Sequence, residues 1–243
     1  MIAYKFLGPG AVGLFSRLAW PVPRDGEPGE WVVAQGPLEV CRNGVHACRA
    51  GDLIDWIDSE LWRVELGAPV IESAAGLVAP RGRLLSRVGE WDDAAAAALT
   101  RACVDRARDH AAEALERAGR EGDADELRRL DDPEAIRERA PALARGASPE
   151  VADPLGFAAD AVTMARGSMP DTALLAELAP PTTAAIAANV AFTAARAAGR
   201  AHELAGGAGG FDAGYAAERA WQLGWLRERL GIAGPGSPEG RSP

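Results

Sequence analysis

The apolar residues of this chain change their spacing at Asp92, and no single fold class accommodates both halves. Before Asp92 they alternate. In Leu61-Trp62-Arg63-Val64-Glu65-Leu66, the residues Trp62, Val64 and Leu66 fall on one side of a strand, with Arg63 and Glu65 on the other. After Asp92 they recur every 3.6 residues in alanine-rich runs, the period of a helix with one buried stripe. Five of the seven tryptophans lie in the first 91 residues, so the bulky packing residues belong to the alternating part. The pattern predicts an α+β protein. A small, mostly antiparallel sheet domain covers residues 1–91, because its connections are short. An alanine-rich helical bundle covers 92–231, and a Gly/Pro/Ser-rich disordered tail covers 232–243.

Within the first part, strands are expected over 2–7, 31–34, 38–41, 61–66 and 70–72, with two more near 76–79 and 84–88. Asp52 is placed to cap a helix over 53–59. In the second part, Asp92 and Asp93 can cap a helix over 94–120. Further helices are expected over 123–130, 133–144, 149–165 and 170–178, then a long alanine helix to Gly206 and a last helix capped by Asp212. Pro133 and Pro149 suit a first turn, whereas Pro141 and Pro154 should shorten or kink their helices.

The chain carries 35 acidic against 26 basic residues, a balance that argues against a general nucleic-acid binder. Residues 1–91, with 9 basic and 11 acidic side chains, are nearly neutral. Arginine supplies almost all the positive charge. No run approaches the roughly 18 apolar residues of a membrane span. Three cysteines cannot all pair within the chain, and the first residues do not resemble a secretory signal, which together point to a reducing cytoplasm.

The densest group of reactive side chains is Cys41-Arg42-Asn43-Gly44-Val45-His46-Ala47-Cys48-Arg49. It supports several readings. Cys41, His46 and Cys48 have thiolate and imidazole chemistry suited to zinc, although the fourth ligand of a tetrahedral site is not visible nearby. Cys48, beside His46 and two arginines, can be a nucleophilic thiol if that surrounding charge lowers its pKa. In a third reading both cysteines are small packing residues. In the last, His46 or Arg42 contacts a ligand without covalent or metal chemistry.

Tyr4-Lys5-Phe6, the Cys-x-x-Gly-Val-His-x-Cys core and the Trp62-to-Leu66 strand resemble an uncharacterised domain family found in phage and actinobacterial proteins, over roughly residues 1–90. That resemblance brings no activity with it. The same region is more distantly similar to the ADP-ribosyltransferase-like fold. This similarity implies Tyr4 and Lys5 on a first strand, Arg42 and His46 lining a cleft, and Glu65 or Glu72 as the nearby strand acid. The chain departs from that fold's pattern: it has no Ser-x-Ser/Thr step and no Glu-x-Glu pair.

Other features are weaker. Arg81, Arg83 and Arg87 would share one face of a regular strand as an anion patch or a solvated face. Cys103 and His110, and separately Trp221 and Trp225, fall on helix stripes and read as core. The reading reached is a binding or interaction module for a small molecule or protein partner, with a cleft near His46. The alternative is a transferase-like enzyme acting on a nucleotide-type or other small substrate. Tyr4, Arg42 and His46 are the ligand-facing candidates; Glu65 and Cys48 join Arg42 and His46 as catalytic candidates. No cofactor is predicted, with NAD and zinc the two to test.

Overall fold

In the computed structural model, which describes residues 1–74, 76–167, 181–207 and 209–233, strands precede helices as the change of period requires. The strands are β1 (Ile2–Leu7), β2 (Val32–Val33), β3 (Val45–Ala47), β4 (Glu60–Gly67), β5 (Ile71–Ser73), β6 (Gly76–Ala79) and β7 (Arg81–Arg87). The helices are α1 (Asp93–Arg117), α2 (Glu121–Arg128), α3 (Pro133–Ala144), α4 (Pro149–Ala165), α5 (Thr183–Gly206) and α6 (Gly210–Arg229). The chain divides into two compact units, Met1–Ala95 with Leu223–Pro243, and Ala96–Gln222. The expected helix over 170–178 and most of the expected tail lie outside the described residues. No described helix is long and apolar enough to cross a membrane.

In the first unit every named strand pairing is antiparallel, in the orders β1-β4-β7-β2 and β3-β6-β5. The two sheets join at both ends. Tyr4 and Cys48 exchange backbone hydrogen bonds of 2.9 and 2.8 Å, which carries β3 onto the free side of β1. β6 runs through Pro80 directly into β7. The pairings therefore close into a ring, β1 to β4 to β7, through β6 to β3, and back to β1. Its interior is Ala3 and Leu7 of β1, Val45 and Ala47 of β3, Trp62, Val64 and Leu66 of β4, Leu77 and Ala79 of β6, and Leu84 of β7. Ala11 and Trp20 from the loop after β1 join this core. That loop is pinned by Glu60, whose carboxylate accepts from the Gly10 amide (2.9 Å), the Ala11 amide (3.2 Å) and Trp62 Nε1 (3.0 Å).

Three local expectations fail for identifiable reasons. The strand expected at 38–41 is a tight turn, in which Glu39 and Asn43 exchange two 2.8 Å backbone bonds and Cys41 takes a left-handed φ of 63°. The strand begins instead at Val45. The helix expected over 53–59 is one 3-10 turn, Leu53–Asp55. The Asp52 carboxylate, which should have capped it, is taken by Arg49: its Oδ2 accepts from the Arg49 amide at 3.1 Å and pairs with Arg49 Nε at 2.8 Å. A bulge between the Arg63–Ser86 and Val64–Leu84 pairs skips Leu85 and reverses the phase of β7. Arg81 and Arg83 stay on one face, opposite Gly67 and Glu65, but Arg87 sits opposite Trp62 on the other. The three arginines do not share a face.

In the second unit, α4 packs against α3 and α5 through small side chains, among them Ala158, Ala161, Ala187, Ala191 and Ala194. Thr182 caps α5 by accepting from the Ala185 amide (3.1 Å), and Asp132 caps α3 through the Glu134 amide (3.1 Å). In the first unit Asp92 does the same for α1 through Ala95 (2.8 Å). Asp212 lies inside α6, whose first residue is Gly210. α3 and α4 run on through Pro141 and Pro154. The carbonyl left without a donor by Pro154 belongs to exposed Glu150, where water can satisfy it.

Candidate functional site

The Cys41–Arg49 stretch leads from the tight turn into β3 and ends on the bridge to Tyr4. His46 lies between buried Val45 and Ala47, so alternation turns its ring away from the barrel core. The ring folds back over its own turn. The Cys41 amide donates to Nε2 at 3.0 Å, and Nδ1 lies 3.1 Å from the Gly44 carbonyl. These contacts set the tautomer: Nδ1 carries the proton and donates to Gly44, while Nε2 accepts. Burial pulls the imidazole below its ordinary pKa; the Gly44 carbonyl opposes this, and the positive charge of Lys5 adds to it. His46 is thus a neutral ring with both nitrogens occupied by backbone. Gly44 makes the turn possible, because its φ of 139° is unfavourable for other residues and a Cβ there would meet Val78 Cγ1 at 2.4 Å.

The cysteines separate. Cys41 is exposed and Cys48 is buried. Burial pushes the Cys48 thiol up to about 12, with Asp52 and Asp55 adding to the rise. Its Sγ lies 3.4 Å from the Tyr4 carbonyl as a weak donor. The depressed pKa that would make Cys48 a nucleophile is therefore replaced by its opposite: apolar burial outweighs the nearby positive charge of Lys5. Among the described residues, no group of three or more His, Cys, Asp or Glu side chains is arranged to hold a metal ion. Cys41, His46 and Cys48 do not converge.

Arg42 extends into solvent, paired at 3.1 Å with Glu39 on an equally exposed turn. Asn43 holds the base of the turn, its amide donating to the carbonyls of Gln35 (2.8 Å) and Pro37 (2.7 Å). Tyr4 is brought beside the motif by the bridge to Cys48. Glu65 is not: its carboxylate pairs with Arg83 at 2.7 Å on the outer sheet face, where Arg81 and Arg83 both contact the ring of Trp31. Glu72 lies 3.6 Å from Arg49.

Lys5 is the group at this site that the sequence reading passed over. It sits on β1 between Ala3 and Leu7, both of which point into the barrel, and pairs across the sheet with Trp62. Its Nζ donates to the His46 carbonyl at 2.6 Å and stands 5.0 Å from the centre of the Trp20 ring. Burial lowers the ammonium to about 8, with the Cys48 thiol opposing.

A second polar cluster occupies the helical unit. Glu218 has a fully buried carboxylate. Its Oε2 accepts from Arg106 Nε (2.9 Å), Arg106 Nη2 (2.5 Å) and His110 Nε2 (2.9 Å), and its Oε1 from Gln222 Nε2 (3.1 Å). Arg106 lies on the Trp221 ring at 4.6 Å. On its other side His110 faces Glu113, with Nδ1 3.6 Å from Oε2. Charged residues on helices read as solvated, so the cluster escaped notice. The usable signal was register: Glu218, Gln222, Leu226 and Leu230 recur at i, i+4, i+8 and i+12, and all four are buried. Trp221 and Trp225, expected to form the buried stripe, are only half-buried. An open depression of about 290 Å³, lined by Asp132, Pro133, Glu134, Val162, Ala165 and Arg166, takes in none of the sequence-predicted residues.

Comparison with protein-family models, with curated proteins and with solved structures returns no match.

Proposed function

We propose that the N-terminal barrel is a binding module that recognises a protein partner through the turn at Glu39–Asn43. The observation that carries this reading is the double engagement of His46. With one ring nitrogen on the Cys41 amide and the other on the Gly44 carbonyl, the imidazole acts as an internal brace. Cys48 is held as a thiol by burial. The chemically capable groups of the motif are thus spent on shaping a turn, and that turn presents Arg42, Cys41 and Glu39 to solvent. A braced turn with an exposed guanidinium and carboxylate suits recognition, because little conformational freedom is lost on binding.

The alternative, a transferase-like enzyme with a nucleotide-type substrate, draws support from one feature. The Tyr4–Cys48 bridge sets the first strand against the motif, as a cleft between them requires. Against it stands Glu65, paired with Arg83 on the outer sheet face.

The two readings separate experimentally. A photo-crosslinker attached through maleimide to Cys41, in cells that make the full chain, should yield a defined adduct that Arg42→Glu abolishes. Absence of an adduct, or one indifferent to Arg42→Glu, overturns the recognition reading. A rise in melting temperature with NAD or a nucleotide moves the assignment to the transferase.

A further inference from the structure

We propose that Lys5 is a carbonyl-capture site, whose ε-amine forms a reversible imine with a small aldehyde beside Trp20 and the His46 carbonyl.

Two independent observations point there. The first is compositional. Among 26 lysine and arginine residues, Lys5 is the single lysine. A chain that uses arginine at every other basic position keeps an amine at this one. The two side chains differ in a way that matters for chemistry: a guanidinium does not lose its proton in a protein, whereas an amine does and then becomes a nucleophile. The second is geometric. Lys5 stands on the inward face of β1, between Ala3 and Leu7 and opposite Trp62. Among the described residues no carboxylate forms an ion pair with it, and its Nζ donates to the His46 carbonyl at 2.6 Å. The Trp20 ring lies 5.0 Å from Nζ, close enough to hold the ammonium in the resting state. A desolvated amine without a counter-ion is the arrangement that makes lysine reactive toward carbonyls. The lowering to about 8 follows from the same burial.

The reaction is balanced without a co-reactant. The neutral Nζ lone pair attacks the aldehyde carbon, forming a C–N bond, and the carbonyl electron pair moves to oxygen. Two amine protons end on that oxygen, which leaves as water, and the C=N bond remains. Protonation of the imine nitrogen then supplies one N–H, which the His46 carbonyl can accept in place of the original ammonium. This inference is independent of recognition at the 39–43 turn.

The test uses the full chain with propanal and sodium cyanoborohydride at neutral pH, the hydride fixing any imine as a secondary amine. Peptide-resolved mass spectrometry then follows alkylation of Lys5. Native Lys5 should react about tenfold faster than Lys5 in guanidinium-unfolded protein, since an unperturbed lysine near 10.4 is almost wholly protonated there. The native rate should level off above a midpoint near 8. A native rate equal to or below the unfolded rate, or one still climbing through pH 10, overturns the proposal.

Discussion

Glu218 Oε2 lies 2.9 Å from His110 Nε2, with 0% of the Glu218 and 7% of the His110 side chain exposed. A carboxylate this deeply covered must have its charge answered locally, and Arg106 and Gln222 complete the answer. Glu218→Ala would leave a guanidinium, an imidazole and an amide facing a void. A loss of about 3 kcal/mol is expected, the range seen when one partner of a buried pair is deleted. Urea unfolding of the full chain measures it. A loss within about 0.5 kcal/mol, typical of surface sites, would mean the network contributes nothing.

The same cluster gives stability a defined pH dependence. Burial disfavours protonated His110, but hydrogen bonds and charge from Glu113 and Glu218 outweigh it and raise the imidazole above its ordinary 6.5. A raised folded pKa means a stabilising contribution that is complete below 6.5 and lost as pH rises through the folded value. The carboxylates act in the opposite sense. Burial opposes ionisation of Glu218, yet His110 and Arg106 hold it below its ordinary 4.5, and Glu113 is lowered by His110 first and also by Arg117 and His202. Their contribution is present above 4.5 and lost as pH falls through the lowered values. The contribution of this cluster, measured as the difference in urea midpoint between wild type and Glu218→Ala, should therefore fall on both sides of a plateau between about 4.5 and 6.5. His110→Asn should flatten the alkaline side, and an unchanged alkaline slope in that variant would refute the assignment.

His46 should behave in reverse. Its folded pKa is lowered, so its contribution is present above 6.5 and lost as pH falls through the folded value. The Cys41 amide reports directly on the brace, because it donates to Nε2. In native-state hydrogen exchange this amide should be protected at pH 7.5 and lose protection as the ring is protonated. His46→Ala should expose it at every pH and cost about 0.5–1.5 kcal/mol, the net scale of a lost hydrogen bond. A Cys41 amide that exchanges identically in wild type and His46→Ala would show that the ring does not hold the turn.

The α+β class and the antiparallel sheet were legible because each rests on a period: Trp62, Val64 and Leu66 for β4, and the alanine stripes for the helices. What escaped depends on contacts between residues far apart in sequence. The closure of the barrel rests on a bridge between Tyr4 and Cys48, 44 residues apart, and strand periodicity carries no record of it. Asp52 had the composition of a cap, but Arg49 claimed its carboxylate. Arg87 left the face of Arg81 because a bulge at Leu85 shifted the phase, and alternation assumes that no residue is skipped. At the candidate site, residue types identified His46 and Cys48 as chemically capable. Burial then reversed the expected thiol state, and Lys5 was passed over as an ordinary strand residue.

The thiols give the most direct reading of that burial. Cys41 is exposed, whereas Cys48 and Cys103 are buried. Burial drives the Cys48 thiol up to about 12 and pushes Cys103 upward as well, with Glu218 adding to the latter. Thiolate is the reacting species in disulfide exchange, so both buried groups are slow for two reasons, access and protonation. Ellman's reagent at pH 8 should therefore label Cys41 alone in native protein. Cys48 and Cys103 should follow only at the rate of global or sub-global opening and appear promptly in guanidinium. Rapid native labelling of Cys48 would mean that the β1–β3 junction opens readily. It would also remove the desolvated setting on which the lowered Lys5 amine depends, since both groups owe their perturbed state to the same burial.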